Sequence, residues 1–347
     1  MTVRRSELVP VDYTNLPGGT YHFVMHLRDS LGHGDKTVSV KIVKEKSLFE
    51  HTWFYIVLGL AAAAVIGAAF RLYLRRKTRI LERRHQEAVN KERLETELKT
   101  ATRIQQSMLP HDFPPFPERK EFDIFASMTP ARDVGGDFYD FFMIDDDHLC
   151  LVMADVSGKG IPAALYMMVS KIILQSCARL GQSAAAILNK TNEAMCSNNQ
   201  VDMFVTVWLG ILEISTGRIT AANAGHEYPA LMRGGQFSLL KVKHGLVIGG
   251  MEGMRYHEYE IALKPGDKLF LYTDGVPEAT DRDNNMFGTG RMIESLNANP
   301  AATPRETLKN VHSAVNSFVN EAEQFDDLTM LCITYNGAAD GVKTAQE

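Results

Sequence analysis

Residues 269–288 read LFLYTDGVPEATDRDNNMFG. The apolar run 268–272 ends at Asp274-Gly275, with Glu278 and Asp281 close behind. A short apolar run closed by a turn signal has the length and composition of a buried strand. Three other strings repeat the design. GGDFYD (135–140) carries Asp137, and ADVSGKG (154–160) carries Asp155 at the end of the apolar run 149–153. FDDLT (325–329) sets Asp326 and Asp327 just before the apolar run 328–334. Carboxylates at the ends of core strands can converge on one rim. An unpaired cluster of like charges there repels itself and needs cations. All-oxygen ligation suits hard ions such as Mg²⁺ or Mn²⁺. The pattern predicts a carboxylate-bridged metal centre of the kind that attacks phosphate esters.

Each string taken alone also has a plainer reading. Two glycines before Asp137 let backbone approach a ligand closely, but GGD also makes a hairpin turn with a solvated acid. GGD resembles the signature of diguanylate cyclases as well; those have a second acid after it, where Phe138 stands here. In ADVSGKG, Gly158 and Gly160 permit a tight turn, and Lys159 with the following helix N-terminus would meet an anion on the substrate side. The alternative is a strand–turn–helix with Asp155 as helix cap. The phosphate-loop spacing GxxxxGK[ST] is absent. NAGHEYPAL (223–231) sets His226 between two strands, either as a structural hydrogen-bonder or on the substrate side. A single Asp at a strand end is usually a turn residue; four in one stretch of chain favour the site.

Around this core the 347 residues allow about two domains. A net charge of -5 argues against an electrostatic nucleic-acid binder. Residues 71–103 hold 11 Lys and Arg against 5 Asp and Glu, a basic segment in an otherwise acidic chain. Cys150, Cys177, Cys196 and Cys332 form no CxxC pair and read as reduced core thiols in cytoplasm. Residues 53–70 carry no charge, and with 71–74 they are long enough to cross a bilayer, starting with an aromatic Trp53-Phe54-Tyr55. The flank beyond holds Arg71, Arg75, Arg76, Lys77 and Arg79, which by the positive-inside bias puts the C-terminal part in the cytoplasm, below a single pass through a bacterial inner membrane.

Residues 1–46 read as short strands, with turns at 16–20 and 30–35 and a half-buried strand at 37–43. Residues 78–109 are charged, free of Gly and Pro, and helical in composition. Leu94, Leu98, Ala101, Gln105 and Met108 fall on a heptad seam, so a short coiled coil and a solvated amphipathic helix both fit. PHDFPPFP (110–117) ends that helix and marks a boundary before the domain at 118–337; a flexible tail is expected at 338–347. Within the domain, strands are expected at 122–128, 149–156, 203–214, 218–223, 230–233, 256–263, 268–273 and 328–335. Helices are expected at 161–180, 184–198, 290–297 and 304–321. Grouped helices between sets of strands predict an α+β layered domain.

The stretch DYTNLPGGTYHF (12–23), with the strand and span after it, resembles the end of the triple-tyrosine β-sandwich of bacterial sensors. Some 46 residues cannot complete such a sandwich, so a remnant, or a start inside a larger sensor, is expected. From Leu94 to Tyr335 the chain resembles the metal-dependent type 2C (PPM) serine/threonine protein phosphatases, in the bacterial subfamily typified by stage II sporulation protein E. The linker signature ELKTATRIQQSMLP (97–110) and all the strings above occur in the expected order. The resemblance implies a four-layer αββα sandwich holding two Mn²⁺ or Mg²⁺ ions at one edge. It implies that Asp137 and Asp155 bridge the ions, with the Val156 carbonyl as a backbone ligand. Asp274 and Asp326 would complete the second metal, and Asp327 and Gly136 would support them from behind. The reaction implied is metal-assisted hydrolysis with direct attack by water and no phosphoenzyme.

Two departures stand out. Eukaryotic members have a histidine just after the second motif's acid as general acid; here the chain reads Val156-Ser157-Gly158-Lys159, leaving water on a metal as the proton donor. GLVIGGMEG (245–253) departs from the more usual Gly-x-Pro-x-Gly. The expectation is a membrane-anchored phosphatase acting on a phosphorylated small regulatory protein of the anti-sigma-factor-antagonist kind, dimeric through its linker helix and binding no nucleic acid. A degenerate phosphatase fold serving as a binding or scaffold module is the rival.

Overall fold

The computed structural model describes Pro10 and residues 12–27, 36–197 and 202–338. The turn expected at 30–35 lies outside the described residues, as does the tail beyond Ala338. The chain divides into two compact units, residues 1–92 and 93–347.

In the first unit, β1 (Gly19–Leu27) and β2 (Lys36–Lys44) pair antiparallel, with Gly19 opposite Lys44 and Leu27 opposite Lys36. The strands form where alternation predicts them. The expected half-burial does not appear: β2 is exposed along both faces, because two strands alone have nothing to pack against. Helix α1 (Thr52–Met108) then runs unbroken for 57 residues, so the apolar segment and the charged linker are one helix. No Gly–Ser pair or Pro interrupts it. Its most apolar 18-residue window has a mean hydropathy of 2.1 with no residue buried, long and apolar enough to cross a membrane.

The second unit is a four-layer α+β sandwich. One sheet is ordered β10-β7-β6-β5-β4, made from β4 (Phe138–Met143), β5 (His148–Val156), β6 (Val205–Glu213), β7 (Arg218–Ala224) and β10 (Glu258–Ala262). The other is ordered β3-β12-β11-β8-β9, from β3 (Phe122–Thr129), β8 (Ala230–Arg233), β9 (Gln236–Leu239), β11 (Lys268–Tyr272) and β12 (Leu328–Tyr335). The ladders within both sheets are antiparallel. Helices α2 (Ile161–Ala178) and α3 (Ala184–Cys196) cover the first sheet; α4 (Gly288–Ala298) and α5 (Pro304–Val319) cover the second. Strands β4 and β9 were not anticipated. β4 opens at Phe138, directly after Gly135-Gly136-Asp137, and its aromatic residues are all buried.

Period-two alternation explains the unbroken apolar runs. In β12, Leu331, Ile333 and Tyr335 join the core between the sheets, while Leu328, Met330 and Cys332 face α4 and α5. In β11, Leu269 and Leu271 face inward, and Phe270 and Tyr272 face the helices. Both faces are covered, so neither strand has a polar side until its end. There the next residues are Thr273-Asp274 after β11 and Asp326-Asp327 before β12.

Candidate active site

The register of β4 on β5 sets Phe138 opposite Ala154, so Asp137 and Asp155 fall at the same end of one sheet. On the other sheet Tyr272 pairs with Met330, which brings Asp274 and Asp326 to a common end. The two ends meet through hydrogen bonds. Thr273 and Thr329 donate their hydroxyls to Asp137 Oδ2 at 2.6 and 2.7 Å, tying the first sheet to the second. Asp155 hydrogen-bonds to Asp137 and feels the charges of Asp274, Asp326 and Asp327. All four acids read from the sequence therefore lie at strand ends on one side of the sandwich, near enough for Asp155 to feel Asp274 and Asp326.

Asp327 does something different. Its carboxylate accepts from the backbone N–H of Ala131 at 2.8 Å, Gly136 at 2.7 Å and Asp137 at 3.4 Å, and it is buried. It holds the glycine loop instead of facing out. The loop has no room for side chains: a Cβ on Gly135 would lie 2.3 Å from Asp327 Oδ2, and one on Gly136 would lie 2.9 Å from the Val156 carbonyl oxygen. Gly136 thus keeps that carbonyl unobstructed.

The electrostatics are unfavourable for protein alone. Burial first, then the charges of Asp155 and Asp327, push the Asp137 carboxyl well above the usual range, against the pull of the two threonine hydroxyls. Burial and the Asp274 charge raise Asp155 to about 7. Burial, Asp326, Glu278 and Glu227 raise Asp274 to about 6. Among the described residues no three acid, histidine or cysteine groups surround a single point. The acids stand instead as pairs, Asp137 with Asp155 and Asp326 with the Lys159 ammonium at 2.8 Å. An all-oxygen donor set whose ionised forms repel one another fits hard divalent ions and no softer metal.

Lys159 stands beside the acids with its side chain 29% exposed: it pairs with Asp326, donates to the Phe325 carbonyl at 2.6 Å and sits 3.7 Å from the Phe325 ring centroid. His226, expected on the substrate side, lies inside the fold. It is 5% exposed and braces the two sheets, accepting from Thr206 Oγ1 at 2.8 Å and donating to the Tyr272 carbonyl at 3.1 Å. Burial pushes its pKa down to about 3, so the ring is neutral. Asp155 caps no helix: the N-cap of α2 is Gly160, at φ 77°. Sequence reasoning missed Thr273, Thr329 and Glu227. Both threonines lie within the quoted strings, next to Asp274 and two residues after Asp327, and their position at a sheet end was the available signal.

A sequence profile described as stage II sporulation protein E (SpoIIE) matches residues 145–336, more than half of the chain. The chain belongs to the SpoIIE family. Protein IcfG of Synechocystis is 29% identical over 267 residues, which cover 69% of this chain and 42% of IcfG. The phosphoserine phosphatase RsbU of Bacillus subtilis is 27% identical over 242 residues, covering 69% of this chain and 70% of RsbU. The chain thus spans less than half the length of IcfG. Among solved structures, the SiaA-PP2C domain of Pseudomonas aeruginosa matches with a TM-score of 0.64 at 24% identity, over 72% of this chain and 98% of that domain. At that identity the likeness establishes the fold, a PP2C-type sandwich. SpoIIE membership agrees with the strings from residue 149 onward; GGDFYD lies ahead of the matched residues.

Proposed function

We propose that this SpoIIE-family chain is a metal-dependent serine/threonine protein phosphatase, anchored in a bacterial cell membrane by α1 with its phosphatase unit in the cytoplasm. The observation that carries the reading is that Asp137, Asp155, Asp274 and Asp326 stand at strand ends on one side of the sandwich, where burial and neighbouring carboxylates push the Asp137, Asp155 and Asp274 carboxyls up. Two Mn²⁺ or Mg²⁺ ions would be held by these carboxylates and the Val156 carbonyl. Such ions supply charge neutralisation at the phosphoryl group and a more acidic water.

The remaining work falls to the chain's own residues. Thr273 and Thr329 both act on Asp137 Oδ2 and fix the rotation of that carboxylate. Asp327 and Gly136 hold the loop from which Asp137 projects. Lys159 pairs with Asp326 at 2.8 Å and holds that carboxylate at the site. His226 moves no proton, because both ring nitrogens are engaged inside the fold.

The substrate we propose is a phosphoserine or phosphothreonine on a small cytoplasmic regulator of the anti-sigma-factor-antagonist kind. The family resemblance supports that class, and the name phosphoserine phosphatase carried by RsbU supports the residue type. The basic flank after the apolar segment supports the orientation. The seam positions Leu94 and Leu98, ahead of Gln105, support a homodimer. The test is hydrolysis of p-nitrophenyl phosphate and of a phosphoserine peptide by the full chain in detergent micelles. Turnover that needs Mn²⁺, stops with EDTA and disappears in Asp155→Asn supports the enzyme. A folded wild-type chain without turnover at millimolar Mn²⁺ leaves the binding-module rival standing.

A further inference from the structure

We propose that Gln105 is a positioning residue for the acid site: its side-chain amide grips Gly135 and so sets where Asp137 stands. The proposal rests on the metal-centre reading above. Gln105 is the one residue of α1 that is buried, at 4% exposure. A buried primary amide is costly unless both its ends are bonded. Here they are, and to a single residue: Nε2 donates to the Gly135 carbonyl at 2.6 Å, and Oε1 accepts from the Gly135 N–H at 3.2 Å. Among side chains, only the amides of Gln and Asn offer donor and acceptor in the spacing that matches one residue's N–H and C=O, and the longer of the two is present.

The next two amides are held from the opposite side. Gly136 and Asp137 donate to the Asp327 carboxylate. Three consecutive peptide N–H groups are therefore clamped, one by the linker helix and two by the loop before β12. Bare Gly135 is what lets the clamp close, since any Cβ there would collide with Asp327 Oδ2 and with the Met128 methyl, 2.4 Å away. One turn earlier on the same helix face, Thr102 donates to the Asp133 carbonyl at 2.6 Å. A groove of about 430 Å³, lined by Met128, Pro130 and Tyr139 among others, lies beside these contacts. The helix end is thus not sealed down by a flush apolar seam, and its hold on the loop is polar. The heptad spacing offered Gln105 to a partner helix; the structure turns it into its own phosphatase unit. A shift of the helix end reaches Asp137 through two peptide units.

The experiment uses the full chain in detergent micelles as wild type, Gln105→Ala and Gln105→Glu. Glu keeps the acceptor for the Gly135 N–H and loses the donor to its carbonyl. It also serves if the alanine variant fails to fold. Three quantities are read: Mn²⁺ affinity from the electron paramagnetic resonance of free Mn²⁺, hydrogen exchange across residues 135–137, and kcat and KM for p-nitrophenyl phosphate. Gln105→Ala is expected to weaken Mn²⁺ binding by about 10–100-fold, to speed exchange at 135–137, and to lower kcat more than it raises KM. Gln105→Glu is expected to fall between. Folded variants with wild-type Mn²⁺ affinity overturn the proposal, whatever their stability. A folded wild type that binds no Mn²⁺ overturns the metal-centre reading and the proposal together, and the wild-type isotherm alone tells that case from the first.

Discussion

Asp137 and Asp140 lie three residues apart in one motif, and both are buried, at 2% and 4% exposure. Their surroundings differ in one respect. Asp140 has a cation of its own, the Lys171 ammonium from α2 at 2.5 Å, and the pair is buried on both sides. Asp137 has two threonine hydroxyls and, beyond them, only other acids. The fold neutralises one carboxylate internally and leaves the other for a cation from outside. A buried ion pair adds little net stability yet is costly to break, whereas an unpaired acid cluster is costly until something binds it. The pair at Asp140 reads as architecture and the cluster at Asp137 as function, although the sequence presents them as equals.

That contrast sets the order of the expected effects. Lys171→Ala strands the Asp140 charge in the core and is expected to cost about 3–5 kcal/mol of unfolding free energy, measured by urea titration. A loss under 1 kcal/mol would mean that Asp140 has another partner. Asp137→Asn is expected to do the reverse. Metal-free stability should hold or rise, because a repulsive charge is gone, while hydrolysis falls by about 10²–10³-fold. A variant that loses stability and keeps activity would dissolve the contrast.

His226 extends the comparison to a group buried without charge. Its pKa is about 3 in the fold against 6.5 ordinarily, so the unfolded chain takes up a proton that the folded chain refuses. The resulting stability is complete above pH 6.5 and drains away as pH falls from 6.5 towards 3. At pH 4.5 the loss is about 2–3 kcal/mol. His226→Gln should flatten that part of the stability–pH curve, and an unchanged slope would refute the assignment. Thr273→Val is expected to be the smallest effect. It removes one of two hydroxyls on Asp137, for about 1.5 kcal/mol, read as weaker Mn²⁺ binding.

The acids were legible in the sequence because each stands where an apolar run meets a turn, and that local signal survives without coordinates. The layered α+β class was legible from the same runs and from the grouping of the helices. The partners of the acids were not. Lys171 lies 31 residues from Asp140, and Thr329 lies 192 residues from Asp137. Nothing local ties such pairs together; sheet order and the packing of α2 on β4 create them. β9 interleaves Gln236 and Ser238 with only two apolar residues, and β4 hid behind the glycines that precede it. His226 misled for a related reason. A lone histidine between strands looks available until tertiary contacts occupy it.

The measurement that bears most directly on the contrast is a Mn²⁺ binding isotherm of the full chain in detergent, compared with Asp137→Asn and Asp155→Asn. Two ions per chain are expected for the wild type, with at least one lost in each variant. A folded wild type that takes up no Mn²⁺ at millimolar concentration, or variants that bind as it does, would contradict the assignment of these acids to a metal centre.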